Sequence, residues 1–256
     1  MAMRSVRTRL DHNKMRKTKV LLRDPVVRRA IPKTVMLTEA RLRNMLRLYS
    51  TVYVKPNVGA LGIGVMRVRK LKTRGRVRYE WRYKLLTRHT RTISALYGLI
   101  RAYKKSGAYL VQRGIHLLRY KGRRYDLRVM TQRRSTSRPW KVTGILARVA
   151  APGRIVTNGS QGASIHPIMQ VFRSKMSQGK AANKRHQVER LSLRIARRYT
   201  RAHPSCVELG LDVAVDHRLR SWLLEMNTKP QITPFRKLKN RSMYRTILAY
   251  RRSARR

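Results

Sequence analysis

The sequence contains few acidic residues: ten aspartates and glutamates stand against 63 lysines and arginines among 256 residues. The formal net charge of +53 at pH 7 exceeds what solubility requires and indicates an anionic partner or ligand. The single cysteine, Cys206, excludes an internal disulfide and a cysteine-based zinc site. The longest nearly uncharged apolar stretch, residues 92–100, is shorter than a membrane-spanning helix requires, so we expect no membrane span.

The N-terminal residues 1–19 also lack the apolar segment that is typical of a secretory signal. They are rich in arginine and poor in acids, which leaves an organellar transit peptide open. We expect residues 1–30 to be a basic segment that forms a short helix or an arm docked on the body of the protein.

Apolar residues make up 42% of the chain and recur with clear periods, so the sequence predicts a folded core rather than disorder. A chain of 256 residues accommodates one large domain or two modest ones. Apolar residues at helical spacing predict helices over residues 37–49, 92–105 and 183–203, and around 244–250 in a basic tail. Alternating patterns predict strands over residues 51–56, 65–71, 77–85, 109–115, 125–132, 142–150, 209–216 and 221–227.

Acidic residues are concentrated near the C-terminal end. Two predicted strands run through this segment and form a hairpin that turns at residues 218–219. In that register Asp212 lies opposite Glu225, and Gly210 lies opposite Asn227. Side chains alternate across a strand, so Asp212, Glu225 and Asn227 share one face. Four of the ten acids lie within these eighteen positions: Glu208, Asp212, Asp216 and Glu225.

Two carboxylates that face each other on a hairpin are unfavourable unless a cation lies between them. Together with the amide they form an oxygen-only ligand set that suits Mg²⁺, which usually shares its coordination shell with water and phosphates. The alternative is that Asp212 and Glu225 pair with arginines, which the sequence supplies throughout. The spacing leaves both interpretations open. We expect Glu208 and Asp216 to be solvated turn charges or partners of arginines.

A lysine and a glycine-bearing loop follow an earlier predicted strand. Lys55 closes that strand just before Pro56, and the loop carries Gly59, Gly62 and Gly64. Glycines allow backbone N–H groups to approach an anion, and a lysine at the strand end adds a point charge. The segment lacks the Gly-Lys-Ser/Thr of a Walker A loop. A phosphate-binding loop and a plain flexible turn therefore both remain open.

Four sequence blocks, in order, resemble the ATP-grasp fold. They are VYVKPNVGALGIGV, YLVQRGIHLL followed by RRYDLRVM, ILARVAAPGRIVTNGSQGA, and LGLDVAVDHRLRSWLLEMNTKP. In the last block an aspartate stands thirteen residues before Glu-x-Asn, as in the magnesium sites of ATP-grasp enzymes. Residues 31–238 resemble the YheC/YheD family, the endospore coat-associated ATP-grasp proteins of spore-forming bacteria.

The resemblance implies an α+β fold, with two α/β subdomains and ATP in the cleft between them. Residues 31–108 would form the N-terminal subdomain with the glycine-loop lid, and residues 109–238 the C-terminal subdomain with the metal site. Residues 1–30 and 239–256 would be basic terminal segments. The N-terminal domain that ATP-grasp enzymes usually place before this fold would be largely missing.

The resemblance also implies which residues bind nucleotide. A lysine would hold the phosphates of ATP, and the glycine loop would fold over them as a lid. The strand that begins at Tyr109 would be the hinge between the subdomains, where backbone and side chains meet adenine. The nucleotide-binding residues would be Lys55, Gly59, Gly62, Gly64, Gln112, Arg113 and Ile115.

The reaction chemistry would lie around the phosphates. The resemblance implies that Arg128 and Arg148 face the γ-phosphate and the acyl phosphate derived from it, and that Asn158 lines the same cavity. Asp126 would orient Arg128 rather than touch substrate. One or two Mg²⁺ ions would bridge the β- and γ-phosphates. Their ligands would be Asp212, Glu225 and Asn227.

The sequence departs from the family pattern in the first metal-binding strand. Many ATP-grasp ligases place an arginine two residues before the first metal-binding carboxylate. Here that position is Gly210, and we expect Arg148 to replace the missing arginine.

The resemblance implies an ATP-dependent, Mg²⁺-requiring ligase that joins an unknown carboxylate to an amine or similar nucleophile through an acyl phosphate. One alternative is a structural spore protein that binds DNA, RNA or a cell-wall polymer through its positive charge on an ATP-grasp scaffold. Another is a structural spore component whose ATP site has decayed. The family likeness implies a location in the bacterial cytoplasm, in the mother cell or forespore, or in the spore coat.

Overall fold

The computed structural model describes residues 13–157 and 159–254, which form an α+β fold built on two antiparallel sheets. No helix in this part of the chain combines the length and the apolar character of a membrane-spanning segment. The helices described are α1 (Lys14–Leu21), α2 (Pro25–Arg29), α3 (Glu39–Leu48), α4 (Ile93–Tyr103), α5 (Ile168–Arg173), α6 (Gln178–Thr200), α7 (Thr233–Arg236) and α8 (Ser242–Ser253).

The first sheet has six strands in the order β1-β6-β2-β3-β4-β5. Helices α3 and α4 pack on it around the fully buried Trp81 and Leu96. The side chains of Thr38 and Thr92 cap these helices by accepting from the backbone N–H groups three residues on, which confirms the two predicted helix starts. The strands are β1 (Thr34–Met36), β2 (Thr51–Pro56), β3 (Met66–Thr73), β4 (Arg76–Tyr83), β5 (Leu86–Thr90) and β6 (Tyr109–Arg113).

The second sheet follows the order β10-β9-β8-β11-β12, and β7 pairs with β8. The long helix α6 packs on it through Val188, Ile195 and Tyr199, the apolar stripe predicted from helical spacing. The predicted helix starts at residue 183, five residues late, because the polar first turns of α6 carry little apolar pattern. The strands are β7 (Arg119–Tyr120), β8 (Arg123–Gln132), β9 (Lys141–Val149), β10 (Ser164–Pro167), β11 (Glu208–Val215) and β12 (Ser221–Asn227).

The two ends of the described chain are packed into the fold. Near the start, Leu21 and Val27 of α1 and α2 are buried in the core of the second sheet. Near the end, Ile247 of α8 is buried against the other face of the same sheet, together with Phe235. Residues 239–256, expected as a basic tail, therefore include a core-forming helix. Strand β6, which the expected boundary at residue 109 assigns to the second subdomain, pairs within the first sheet.

The hairpin of β11 and β12 has the predicted register at its open end. Gly210 pairs with Asn227, and Asp212 pairs with Glu225. Beyond that pair the register shifts by one residue, so that Val213 pairs with Leu223 and Leu224 has no cross-strand partner. This β-bulge frees the carbonyl of Leu224 from the ladder.

Candidate functional site

A cleft lies between the two sheets, and residues of both line it. The cleft has a volume of about 800 Å³, which includes the space at its open mouth. The first sheet and its loop contribute Tyr53, Lys55, Gly62, Val65, Gln112, Arg113 and Ile115. The second sheet and its loops contribute Leu117, Arg124, Asp126, Arg148, Ile155, Val156, Thr157, Asp212, Leu224 and Glu225.

Lys55 is the buried cation on the first-sheet wall, and only 8% of it is exposed. Its Nζ donates to Oε1 of Gln112 at 2.8 Å and to the carbonyl oxygen of Leu224, in the β-bulge, at 3.1 Å. Burial lowers the pKa of Lys55 to about 8, although the nearby Glu225 carboxylate opposes that shift. A charged amine in this position favours an anion as its next partner.

Four charged side chains form a buried network on the opposite wall. Arg148 donates Nε and Nη2 to the two oxygens of Asp126, at 2.8 and 2.6 Å, and its Nη2 lies 3.0 Å from Oδ2 of Asp212. Thr157 donates its hydroxyl to Oδ2 of Asp126 at 2.6 Å. Arg128 Nε lies 2.8 Å from Oδ1 of Asp212, but the angle is not that of a hydrogen bond, so this contact is Coulombic.

The two aspartates of this network respond differently to burial. Burial raises the pKa of Asp126, against the attraction of Arg148. Burial also disfavours the charge of Asp212, but Arg128 and Arg148 outweigh it and lower the pKa of Asp212. Burial likewise opposes the charge of Arg148, yet the two carboxylates raise its pKa. The network therefore holds two cations and two anions in balance at the cleft wall.

Glu225 is the more accessible of the two hairpin carboxylates, with 24% of its side chain exposed. Its Oε1 lies 3.7 Å from Nζ of Lys14, the first residue of α1. The interpretation that arginines partner Asp212 is thus confirmed, whereas Glu225 faces a lysine. Arg251 binds Glu208, and Arg220 binds Asp216. Both acids therefore have the arginine partners that the sequence analysis offered.

The donor chemistry of the hairpin fits Mg²⁺. Asp212, Glu225 and Asn227 offer oxygens alone, from adjacent strands in register, and Oδ1 of Asp212 is buried without a hydrogen-bond donor. The described residues contain no group of three or more His, Cys, Asp or Glu side chains that could hold a metal, so the amide of Asn227 is needed to complete the set.

The glycine loop between β2 and β3 closes one side of the cleft. Its backbone has positive φ at Gly59 (143°), Gly62 (69°) and Gly64 (76°). A Cβ at Gly64 would lie 2.8 Å from Oη of Tyr109, so only glycine fits there.

Two side chains outside the loop hold it in place. Gln161, in the loop before β10, donates to the carbonyl oxygens of Leu61 and Gly62 at 3.3 and 3.2 Å. On the other side, Lys14 Nζ donates to the carbonyl oxygen of Gly59 at 2.6 Å.

The predicted hinge residues take three different environments. Gln112 is buried, where it accepts from Lys55 and donates to Thr34 Oγ1 at 3.0 Å. The guanidinium of Arg113 lies over the rings of Tyr49 and Trp222, 5.0 and 5.2 Å from their centroids. Ile115 lines the cleft and adds an apolar side chain to its wall.

The sequence matches the family model of the YheC/D like ATP-grasp proteins over residues 7–253. The chain belongs to this family. It is 22% identical over 220 residues to the endospore coat-associated protein YheD of Bacillus subtilis (strain 168). That match covers 85% of this chain and 48% of the relative, so the chain spans about half the length of that curated relative.

Solved structures share the fold at low identity. VanG D-Ala:D-Ser ligase from Enterococcus faecalis matches with a TM-score of 0.59 and 13% identity, over 94% of this chain and 62% of that one. D-cycloserine synthetase DcsG matches with a TM-score of 0.56 and 11% identity, over 96% and 71%. ATP-grasp ligase PsnB matches with a TM-score of 0.54 and 13% identity, over 95% and 61%. These matches confirm the expected α+β ATP-grasp fold.

The YheC/D-like ATP-grasp chain brings most of its predicted site residues to one cleft. Gly59 and Gly64 lie in the loop beside it, and Asn227 ends strand β12 next to it. Arg128 is not among the residues that line the cleft and packs against Asp212 instead. Asn158 lies outside the described residues. The predicted residues that line the cleft are Lys55, Gly62, Gln112, Arg113, Ile115, Arg148, Asp212 and Glu225.

One predicted partnership is wrong. Asp126 does not orient Arg128; it binds Arg148, which lies directly across from it on β9. Arg128 pairs instead across the other edge of β8 with Asp212 on β11. Both arginines thus reach Asp212. A side chain at Gly210 is excluded, because its Cβ would lie 2.4 Å from Pro230 Cβ and 3.2 Å from Nη1 of Arg128.

Three contributing residues escaped the sequence analysis: Lys14, Thr157 and Gln161. Thr157 directly precedes Asn158, a predicted site residue, in a block that carries the family resemblance. This position in the sequence could have identified Thr157 as a site residue. Gln161 lies in the same block. Lys14 stands in a stretch of similar basic residues, where nothing distinguishes it.

Proposed function

We propose that this chain binds Mg-ATP in the cleft and acts as an ATP-dependent ligase that joins a carboxylate to an amine or similar nucleophile. The observation that carries the proposal is the position of Lys55. This buried cation faces the in-register Asp212 and Glu225 across a cleft that the glycine loop closes. Family membership supports the same assignment.

The chain's own residues would hold and stabilise the phosphates. The Lys55 amine and the N–H groups of the glycine loop offer positive charge to the β- and γ-phosphates. Asp126 fixes the guanidinium of Arg148, so its charge faces the γ-phosphate without rearrangement. Asp212, Glu225 and Asn227 would hold Mg²⁺, which when bound neutralises developing charge on the phosphates. Ile115 and Arg113 would meet the adenine.

The proposed reaction has two displacements. A carboxylate oxygen of the acid attacks the γ-phosphorus, the bond from that phosphorus to the ADP oxygen breaks, and an acyl phosphate forms. The nitrogen of an amine then attacks the acyl carbon, a proton is lost to solvent, and inorganic phosphate leaves. The glycine loop, held by Gln161 and Lys14, excludes the water that would hydrolyse the acyl phosphate.

Nucleotide titration by calorimetry, with and without Mg²⁺, tests the site. We expect Lys55→Ala to weaken Mg-ATP binding at least tenfold, about 1.4 kcal/mol, because it removes the buried cation. Glu225→Ala should weaken binding by a similar factor and reduce the difference that Mg²⁺ makes. The control is Lys180→Ala, an exposed lysine in α6, which should bind as the unmodified protein does. Unchanged binding in both site variants would remove the assigned site.

Release of ADP separates a ligase from a nucleotide-binding protein. The chain is incubated with Mg-ATP and a panel of carboxylic acids and amines, and ADP is measured. We expect ADP to appear only with a particular acid and nucleophile together. Nucleotide binding without ADP release from any pair would favour the alternative of a decayed site.

The name of the Bacillus subtilis relative supports a cellular context as well. We propose that the chain acts in spore-forming cells, in the cytoplasm of the mother cell or forespore or at the spore coat. Fractionation of sporulating and vegetative cells with an antibody against the chain tests this. Equal amounts in both cell states would argue against it.

A further inference from the structure

A second depression beside the cleft is lined mainly by arginines, which are seven of its eleven lining residues. It lies between strands β3 and β4 of the first sheet and strands β7 and β8 of the second, and its void is about 680 Å³ to the open mouth. The remaining lining residues are small: two alanines and two glycines. We call this depression the arginine groove. Its arginines are Arg67, Arg69, Arg82, Arg119, Arg123, Arg124 and Arg154.

The arginine groove is continuous with the nucleotide cleft. An adjoining depression shares four of its arginines and extends to Tyr53, Ile115 and Leu117. Those three residues and Arg124 also line the cleft. An extended chain that lies in the arginine groove would therefore enter the cleft past Arg124.

Positive charge in the arginine groove is poorly compensated. Among the described residues only Glu80 forms ion pairs with these arginines, with Arg67 Nη2 at 2.7 Å and Arg69 Nη1 at 3.6 Å. The other five make no ion pair in the described part of the chain. Like charges held close together destabilise the fold unless an anion lies between them.

Arg67 is a buried, partly unsatisfied donor in this groove. Only 3% of it is exposed, and its Nε has no hydrogen-bond partner. Burial lowers the pKa of Arg67, and the charge of Arg124 adds to that shift. A buried N–H without an acceptor costs free energy, so a bound anion that accepts from it would be stabilised.

We infer that the arginine groove binds an acidic peptide segment, a chain with several side-chain carboxylates, and leads one of them into the nucleotide cleft. This inference rests on the proposed ligase function, because a ligase of that kind requires a carboxylate at the γ-phosphate. Guanidinium groups bind carboxylates through paired, parallel hydrogen bonds. Among the described residues, the lining of the groove contains no aromatic ring, so it lacks the stacking platforms that single-stranded nucleic acid requires.

Fluorescence anisotropy with a labelled octaglutamate peptide, in the absence of nucleotide, tests the inference. We expect the unmodified chain to bind the peptide, and the triple variant Arg119→Gln/Arg123→Gln/Arg154→Gln to bind at least tenfold more weakly. The matched control is Arg190→Gln/Arg197→Gln/Arg201→Gln, which removes the same charge from exposed positions on and just after α6. The control should bind as the unmodified chain does. Equal losses in the two triple variants would show general charge attraction and overturn the inference.

An eight-nucleotide single-stranded DNA serves as the competing ligand. If the DNA binds more tightly than octaglutamate and the groove variant weakens DNA more, the inference is wrong and the groove is a nucleic-acid site. A labelled octaglutamine peptide should bind neither the unmodified chain nor either triple variant. Binding of octaglutamine with the affinity of octaglutamate would also overturn the inference.

Calorimetry with Mg-ATP on the same proteins separates this inference from the proposed function. The groove variant should bind Mg-ATP as the unmodified chain does, which also shows that it is folded. Loss of peptide binding with intact Mg-ATP binding is the supporting result. If the unmodified chain binds Mg-ATP but no octaglutamate, only the inference about the groove fails. If it binds octaglutamate but no Mg-ATP, the proposed function fails together with the delivery of a carboxylate to the γ-phosphate, and only peptide binding by the groove stands.

Discussion

Two side chains at the cleft, Lys55 and Arg148, carry a charge although they are buried away from water. Lys55 remains a cation although it is buried, because the Leu224 carbonyl and the Gln112 amide oxygen accept its hydrogen bonds. Arg148 is charged because two aspartates enclose it. Each of these side chains depends on partners from distant parts of the sequence, so substitution of one partner changes the environment of the charge.

The lowered pKa of Lys55 predicts a pH dependence of nucleotide binding. Only the protonated amine attracts phosphate, and its pKa is about 8 in the fold. Affinity for ATP should therefore fall as the pH rises through about 8. Arginine stays charged in that range, so Lys55→Arg should show a flatter profile. Titrations between pH 7 and about 9.5 measure this, and the same decline in both proteins would assign it to another group.

The buried network of Asp126 and Arg148 predicts a large stability effect. Asp126→Asn leaves the buried guanidinium with a single carboxylate, and breaking such a buried pair costs about 3 kcal/mol or more. Urea unfolding measures the loss. As a control, Glu39→Gln removes one charge of an exposed pair with Arg43 and should cost about 0.5 kcal/mol or less. Similar losses in both variants would contradict the role given to the network.

Among the elements, the ends of the described chain depart most from expectation. Helix α8 falls in the predicted basic tail, yet its apolar stripe closes the outer face of the second sheet. Phe235 packs into the same place, 2.7 Å from the position of a Cβ on Gly144. Any side chain at residue 144 would displace this ring, so glycine is required for the contact.

Truncation of the buried side chain of Ile247 measures how much α8 contributes to the free energy of unfolding. Ile247→Ala should lower the free energy of unfolding by about 2–4 kcal/mol, because Ile247 is fully buried between α8 and the sheet. Leu48→Ala, at the exposed end of α3, should change it by less than about 0.5 kcal/mol. Chemical denaturation of both variants measures this. A small effect of Ile247→Ala would mean that the tail is only loosely attached.

Local patterns predicted the elements well where the residues themselves carry the signal. The predicted helices over residues 37–49 and 92–105 begin next to the capping residues Thr38 and Thr92, and the predicted hairpin turn at residues 218–219 placed Asp212 opposite Glu225. The bulge at Leu224 was not predictable, because its carbonyl is held by Lys55, 169 residues away in sequence. The docking of Lys14 on Gly59 and Glu225 was not predictable either, because nothing in the sequence distinguishes Lys14 from the other basic residues around it.

At the scale of the whole molecule, the net charge of +53 dominates the electrostatics. Charges of one sign repel throughout the compact state, and salt screens that repulsion. Five of the ten acids lie in the buried network or on the β11–β12 hairpin: Asp126, Glu208, Asp212, Asp216 and Glu225. Most of the described basic residues lie outside the core, and the sequence alone could not say which of them converge on the arginine groove.

The whole-molecule charge predicts stabilisation by salt. Raising sodium chloride from about 0.01 M to about 0.15 M should raise the melting temperature, because the Debye length falls from about 30 to about 8 Å. Thermal unfolding followed by circular dichroism measures this. Sulfate at equal ionic strength should stabilise further if it enters the arginine groove. A melting temperature that falls with salt would show that attractive ion pairs outweigh the repulsion.

The position of α1 joins parts of the chain that lie far apart in sequence. Its Lys14 contacts Glu225, and the carbonyl of Ala30, just after α2, accepts from the backbone N–H of Leu223. On the ribosome, Lys14 and Ala30 emerge long before these two partners do. Contacts so distant in sequence form slowly. Helix α1 is therefore made before the β11–β12 hairpin but can dock only after that hairpin has been synthesised.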